Sequence, residues 1–530
     1  MKIHIHLSVA IFDKMLLIIL TSIFVFLIYF AFIKPHRYWK ERGVKHERPW
    51  PLFGNLVSII FQKQSLPEFF RETYNKHEGE RYVAFYQFNL PSLMLRDPEL
   101  IKQIGVKDFE AFPEHTMFAP EESDPLWAKN LFAMPGGEEW RDVRAVLSPA
   151  FTSSKLRTMF SLVVECAKQF ADYVEKQGDF ITLEMKDTFA KVTNDIIATT
   201  AFGVGCNSFE EPKNEIFVMG KEATAFDGFL ISLKFFIAAI NPALAKMLKI
   251  RFISEPVTEF FRRIVRETVK IREEKGIIRP DMINLLMEAR KGRFHENGHS
   301  NGNGDKKHKI VITDDVMTAQ AVVFFLAGFD TVSTAMSYTA YELALNPDIQ
   351  ERLQKEIDET WQKCNGNIVY DDLMGMKYLD MVISEALRKW PPFAVTDRKL
   401  IRNYTIQPKD LHDKPLHLDS KVVCQIPIYS LHRDPKYFPN PDKFDPERFN
   451  DENKQTIVPF TYLPFGTGPR NCIGSRFALL EVKIVIFYLM CKFEIVPVEK
   501  TAIPLVLSKS NVNPLPDEGF WLGLRLRNRI

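Results

Sequence analysis

Between Thr313 and Leu345 the chain runs without a proline and with a single glycine, then stops at Asn346-Pro347. Asp314 and Asp315 suit the first turn of a helix, and the Asn-Pro pair ends one. A helix of about 33 residues is ~50 Å long, enough to cross an entire domain. Its centre, Ala321-Val322-Val323-Phe324-Phe325-Leu326, is apolar on every side, which predicts burial. Such a helix needs a large body around it. The chain can build one, with 530 residues, 46% of them hydrophobic, and 44 phenylalanines. Neither internal repeats nor a second domain is evident.

The middle of that helix breaks its own rules at Ala327-Gly328-Phe329-Asp330-Thr331-Val332-Ser333. Glycine costs ~1 kcal/mol against alanine inside a helix, and a buried aspartate costs more unless partnered. Two readings stand. One is a solvated kink with a satisfied Asp330. The other is a site where Gly328 thins the helix to admit a ligand while Asp330 and Thr331 relay protons.

A second anomaly lies downstream, in Phe465-Gly466-Thr467-Gly468-Pro469-Arg470-Asn471-Cys472-Ile473-Gly474. A cysteine in a glycine-rich loop, two residues after an arginine and ahead of an amphipathic helix, is a good soft ligand for iron. A metal and a nearby cation both favour the thiolate. Gly466, Gly468 and Gly474 let backbone approach a flat cofactor closely. The bland alternative is a buried, inert cysteine beside a turn. The other five cysteines (Cys166, Cys206, Cys364, Cys424 and Cys491) are scattered with no C-x-x-C pair. That argues against a disulfide framework or a zinc site, and for a reducing compartment. A net charge of +2 gives no reason to expect nucleic acid as a partner.

Met15–Ile33 carries no charge and is long enough to span a bilayer. Lys34, Arg37, Lys40, Arg42, Lys45 and Arg48 follow it, against Lys2 and Lys14 before it. The positive-inside rule then puts the body in the cytosol, on the endoplasmic reticulum membrane of a eukaryotic cell. The expected organisation is an anchor (1–33), a basic, proline-rich hinge (34–55) that is stiff and extended over Arg48–Asn55, and one body (56–530). Arg81–Tyr86 and Ser92–Leu95 alternate as a small sheet should. His295–Lys309, rich in Asn, Gly, His and Lys, reads as an exposed loop. Phe226–Ile240 is apolar and aromatic but too short to span, so it is a core helix or an interfacial patch.

Further candidates sit on predicted helices. Glu385 and Arg388 lie at i and i+3 before Pro391-Pro392, with Arg448 downstream in Phe444-Asp445-Pro446-Glu447-Arg448-Phe449. Alone, such a pair reads as a surface ion pair. Trp140 and Arg144 lie one turn apart and can both donate to a carboxylate. Arg398 alone reads equally as a solvated side chain.

Together these segments resemble the cytochrome P-450 enzymes of the microsomal, xenobiotic-metabolising type, with an insect member in view. The resemblance rests on the Phe465–Gly474 loop, Ala327-Gly328 with Asp330-Thr331, Glu385 with Arg388, and Trp140 with Arg144. They occur in the family's order, behind an anchor and a proline-rich segment. Val332 departs from the hydroxyl residue common there. The resemblance implies a mainly helical haem-thiolate domain with a small β region, holding haem b between the long helix and the Cys472 loop. It implies Cys472 as iron ligand, with Phe465, Gly474, Ala327 and Gly328 about the haem. Trp140, Arg144, Arg398 and Arg470 are implied on the propionates, and Glu385, Arg388 and Arg448 as a structural network. The implied acid-threonine pair is Asp330 and Thr331. The Phe226–Ile240 region is implied as a lid over substrate access that dips into lipid.

The implied reaction inserts one oxygen atom of dioxygen into an apolar small molecule. Its electrons come from NADPH through a separate membrane-bound flavoprotein reductase, with cytochrome b5 as a further partner. Arg141, Arg476 and Lys483 are the expected docking cations. Phe118, Phe325, Phe393, Val395, Leu507 and Ala327 are the expected pocket lining. Two rivals are a dioxygen-independent haem-thiolate isomerase or dehydratase, and a non-catalytic membrane-anchored haem carrier or sensor.

Overall fold

The computed structural model describes residues 2–116, 121–225, 228–240, 242–279, 281–291, 312–409 and 414–527. Phe118, Phe226, Asp227 and the His295–Lys309 segment lie outside the described residues. The fold is mainly helical with small sheets.

Lys2–Ile28 is one continuous helix, α1. Phe12, Leu17, Phe24 and Phe26 on it are each at least 60% exposed. From Met15 to Ile28 the helix carries no charge, and a stretch apolar all round has no single face to turn to a protein core, so α1 is consistent with a single anchor. The segment expected as an extended hinge instead folds back. Trp50 and Gly54 exchange backbone hydrogen bonds (2.8 and 2.9 Å), and Gly54 bridges to Gln87. Gly54 has φ +62, and a Cβ there would lie 2.5 Å from the Tyr86 carbonyl oxygen, so only glycine permits this docking. Trp39 anchors the same segment. It is fully buried, with Nε1 donating to Phe85 O at 2.9 Å.

Ser65 and Glu68 form a capping box that starts α2 (Leu66–Lys76). β1 (Tyr82–Gln87) and β2 (Leu90–Leu95) pair antiparallel. Then come α3 (Glu138–Leu147), α4 (Ser153–Glu175), β3 (Phe180–Glu184), α5 (Met185–Ile197), α6 (Glu215–Ala223), α7 (Phe229–Ile240) and α8 (Glu255–Lys275). The long helix, α9, spans Asp314–Leu345, with the Thr313 side chain accepting from Val316 N at its start. By length and composition α9 also passes as a membrane span, but most of it is buried, and it is the core helix. α10 (Lys377–Lys389), β4 (Thr396–Lys399), β5 (Val423–Ile426), α11 (Ser475–Lys492), β6 (Phe493–Pro497) and β7 (Trp521–Leu526) complete the labelled elements. One sheet has the order β1-β2-β5-β4 and a second the order β3-β7-β6.

α9 packs on α5, α8, α10 and α11. Its two ends join different cores. Phe325 and Phe329 belong to one with Phe202 and Phe261, while Met336, Tyr338 and Leu343 belong to another with α10 and α11. Each fully buried Phe or Leu contributes about 1.5–3 kcal/mol. α9 runs as one continuous helix through Asp330.

Candidate active site

The Cys472 loop is closed by its own backbone. Cys472 N donates to Phe465 O at 2.9 Å and Asn471 N to Gly468 O at 3.0 Å. Gly468 has φ +71, and a Cβ there would lie 1.9 Å from Gly105 O. Its bareness serves backbone packing against residue 105, where the sequence suggested room for a cofactor. Gly474 differs, since a Cβ there would meet only the Phe151 ring at 3.5 Å. Phe151 stacks on Phe324 of α9 at 5.4 Å, so a single ring links the loop to the long helix. The Cys472 side chain is accessible yet deeply set, as for a group lining an internal cleft. Burial pushes its thiol up, opposed by a hydrogen bond from the Gly474 backbone and by the Arg144 guanidinium.

Three guanidiniums crowd beside this loop. Arg144, from α3, donates to Asn471 O at 2.9 Å and Oδ1 at 2.6 Å. Arg398, from β4, is fully buried and donates to Thr467 O at 2.7 Å, while its Nε has no partner. Arg470 lies 4.1 Å from the Trp140 ring. Burial, then Arg398 and other charges, bring Arg470 down to about 9. Burial likewise brings Arg398 to about 10. Two expected donors are already engaged. Arg470 bonds the carbonyls of Pro113, Leu131, Phe132 and Met134, and Trp140 Nε1 donates to Leu131 O at 3.2 Å. Both brace Pro113 and the 131–134 stretch, whose carbonyls they satisfy.

His115 and Asp397 join this cluster without having been singled out in the sequence. The 114–116 backbone pairs with β4 through Lys399 N and Glu114 O (2.8 Å). This brings His115 Nδ1 to 2.8 Å from Asp397 Oδ1 and Thr116 N to 2.7 Å from Oδ2. Burial opposes the Asp397 charge, but His115 and Thr116 outweigh it and hold the carboxyl at about 2. The Asp397 carboxylate offsets part of the charge on Arg398 and Arg470, and three guanidiniums against it leave the cluster net positive.

On α9 the faces separate. Ala327 is exposed although most of the helix is buried, and Thr331 is intermediate. Thr331 Oγ1 donates to Ala327 O at 2.5 Å. Gly328 faces the other way. A Cβ there would lie 2.4 Å from Ile197 Cδ1, so this glycine admits α5, not a ligand. Asp330 is partnered on both oxygens, by Lys186 Nζ at 2.7 Å and Asn513 Nδ2 at 3.1 Å. Phe325 is fully buried and stacks on Phe329 at 5.4 Å. Leu507 is 5% exposed and bridges Pro516. Leu507 belongs to the core cluster shared with α10 and α11, and Phe325 to the phenylalanine core. Phe393 is 49% exposed and Val395 is intermediate.

The Glu385 network is fully interior. Arg388 Nε and Nη2 donate to Glu385 Oε2 and Oε1 at 2.7 and 2.8 Å, with both side chains at 0% exposure. Asp445 N and Arg448 Nε also donate to Oε1, at 2.9 and 3.4 Å. His432 extends the network. It accepts Leu463 N at 2.8 Å on Nε2, so its Nδ1 carries the proton and donates to Arg388 O at 3.0 Å. Burial holds this imidazole down at about 3. Through Leu463, α10 is tied to the start of the Cys472 loop.

Among the expected docking cations, Lys483 is 2% exposed and pairs with Asp380 at 2.8 Å, so it is no docking residue. Arg141 is exposed but paired with Glu110, and Arg476 is exposed. A cleft of about 390 Å³ lies against the first turn of α9 and is lined by Arg262, Arg266, Asp314 and Asp315. Its charged lining and its distance from Thr331 separate it from the Cys472 site.

The family model described as Cytochrome P450 matches residues 44–521. Cytochrome P450 9e2 of Blattella germanica is 46% identical over 510 residues, covering 93% of this chain and 94% of that one. Probable cytochrome P450 9f2 of Drosophila melanogaster is 41% identical over 502 residues, covering 93% and 95%. Cytochrome P450 6k1 of Blattella germanica is 40% identical over 480 residues, covering 89% of each. The chain belongs to the cytochrome P450 family. It groups with insect members, and the family implies a haem-thiolate monooxygenase with a haem cofactor, a redox partner and small-molecule substrates. The residues of this P450 fit a haem. An accessible, deeply set thiol suits the iron, and the orphaned Nε of Arg398 within a positive cluster suits an anionic group such as a propionate.

Proposed function

We propose that this P450 inserts one oxygen atom of dioxygen into apolar small molecules, including foreign compounds. Its electrons would come from NADPH through a separate membrane-bound flavoprotein reductase, with cytochrome b5 as a second donor. The observation that carries the reading is the accessible Cys472 thiol beside the three guanidiniums, on a loop joined to α9 through Phe151 and Phe324.

Haem b would be held by Cys472 at the iron and by Arg398 and Arg144 at the propionates, with the Trp140 ring beneath Arg144 and Arg470 adding positive charge to the cluster. Bound there, thiolate-ligated haem activates dioxygen, because the thiolate pushes electron density toward O–O cleavage. The chain's own residues do the rest. Thr331 holds its hydroxyl proton on Ala327 O and leaves its oxygen as an acceptor. Asp330, the neighbouring acid, supplies the carboxylate that exchanges protons with it. Phe393, Val395 and the Ala327 methyl offer an apolar surface to the substrate.

Residues 1–33 would anchor the enzyme once through the endoplasmic reticulum membrane, with residues 34–55 docked on the sheet and the body (56–530) in the cytosol. The exposed apolar length of α1 and the lysines and arginines after it support this. Asn403-Tyr404-Thr405 is an acceptor triplet for N-glycosylation on an exposed stretch. A cytosolic body leaves Asn403 unmodified in microsomes, and glycan at Asn403 would overturn the topology. The function is tested by reconstitution with reductase, NADPH and isotopically labelled dioxygen on a panel of apolar compounds. One labelled atom per product molecule is expected. Product formed without dioxygen would overturn the reading.

A further inference from the structure

We propose that Asn513 is a positioning residue for Asp330, and the releasable half of a two-sided hold on that carboxylate. The inference rests on the monooxygenase reading, in which Asp330 exchanges protons with Thr331. Asn513 lies 183 residues from Asp330 in sequence, and its Nδ2 donates to Asp330 Oδ2 at 3.1 Å. Lys186, in the first turn of α5, occupies the other oxygen at 2.7 Å.

The two holds differ in kind. The Lys186 ammonium spends all its donors on α9: Asp330 Oδ1, Ser333 Oγ at 2.6 Å, and Asp330 O at 3.2 Å. Its backbone is also fixed, with Lys186 N donating to Glu184 Oε1 at 3.2 Å. Glu184 in turn takes Asp187 N at 2.6 Å and Phe520 N at 2.8 Å. This side is a charged pair on a braced helix end, so it keeps Oδ1. The Asn513 side is one neutral amide on a turn. A Leu507–Pro516 bridge closes that turn, and Tyr338 OH fastens it to α9 by donating to Pro514 O at 2.7 Å. Val512, next to Asn513, is 45% exposed. Val512 stands at the tip, and the Asn513 backbone is held, its O accepting from Leu515 N at 2.9 Å, so the releasable part is the Asn513 side-chain amide alone.

Asp330 and Lys186 are about one-fifth exposed, so a released oxygen can reach water. With Asn513 in place, Oδ2 is covered by a donor and aimed away from exchange. When the amide withdraws, Oδ2 is free to take a proton while Lys186 still holds Oδ1. Among the described residues, Lys186 is the one charged group paired with Asp330, so the amide contact is the adjustable part of the hold.

The test uses the full-length holoenzyme with reductase and a substrate the wild type oxidises. Asn513→Ala leaves Oδ2 open throughout the cycle, so proton entry is no longer timed, and product formed per NADPH consumed is expected to fall severalfold. The spectrally measured substrate affinity should stay within about twofold and the carbon monoxide spectrum unchanged. Asn513→Asp replaces the donor facing Asp330 with a like charge, which acidification removes. Its coupling should fall near neutral pH and recover on acidification, a profile that loss of packing alone would not produce. A thermal-unfolding double-mutant cycle of Asn513→Ala with Asp330→Asn should be non-additive. Wild-type coupling in both Asn513 variants across the pH range, or additivity in the cycle, would overturn the proposal. Failure of the function reading would show separately, as a wild type that forms no product.

Discussion

Replacing Glu385 with glutamine changes one atom and one charge in the interior, and the structure sets the cost. Four donors converge on this carboxylate: Arg388 Nε and Nη2, Asp445 N and Arg448 Nε. A glutamine carbonyl at the Oε1 position keeps three of them and turns its NH2 toward Arg388 Nε, donor against donor. The larger penalty is electrostatic. Arg388 is fully buried, and removing its counter-charge leaves an uncompensated cation, which costs about 3–5 kcal/mol. Over the roughly 480 residues of the family match, an unfolding entropy of about 2.1 cal/mol/K per residue sums to about 1 kcal/mol/K. The expected loss in Tm is therefore about 3–5 °C, read by circular dichroism or calorimetry. Arg157→Ala serves as control, because its partner Asp371 is 68% exposed, and an exposed pair contributes about 1 kcal/mol or less. A Glu385→Gln protein that melts with the control would refute the claim that this network holds the core together.

Two further outcomes follow from the site. Gly468→Ala should destabilise far more than Gly466→Ala. Both have φ +71, but the first Cβ collides with Gly105 O at 1.9 Å while the second meets nothing nearer than Asn471 Cα at 3.9 Å. The second should cost about 1–2 kcal/mol for its left-handed backbone alone, and equal Tm losses would contradict the assignment. Stability should also depend on His432. The unfolded chain protonates it near pH 6.5, while burial keeps the folded imidazole neutral down to about 3. The unfolded state therefore binds the proton first. Stability falls as pH drops through that window, by up to about 1.4 kcal/mol per pH unit, and His432→Gln should flatten that part of the curve.

How much of this was legible in the sequence divides by distance along the chain. α9 was readable because its proline-free run, Thr313 cap and Asn346-Pro347 stop are all local. The Cys472 loop was readable because glycine, arginine and cysteine at those spacings form a local pattern. What failed was the phase of a helix against its neighbours. Gly328 and Phe325 point at α5 and at the phenylalanine core, and nothing within the α9 sequence says which face meets which partner. Lys483 failed for the same reason, since it is buried and paired with Asp380 on another helix. The missed residues are long-range. His115 reaches Asp397 across 282 positions, and Lys186 reaches Asp330 across 144. No spacing rule links such pairs. The proline-rich segment misled because its prolines suggested stiffness, whereas Gly54 and Trp39 dock it.

The central claim is that Cys472 supplies a thiolate to a haem iron. The carbon monoxide difference spectrum of the reduced protein, beside that of Cys472→Ala, tests it most directly. A strongly red-shifted Soret band in the wild type, lost in the variant, is the expected result. Haem bound with no such shift in the wild type, or a shift that survives in Cys472→Ala, would contradict it.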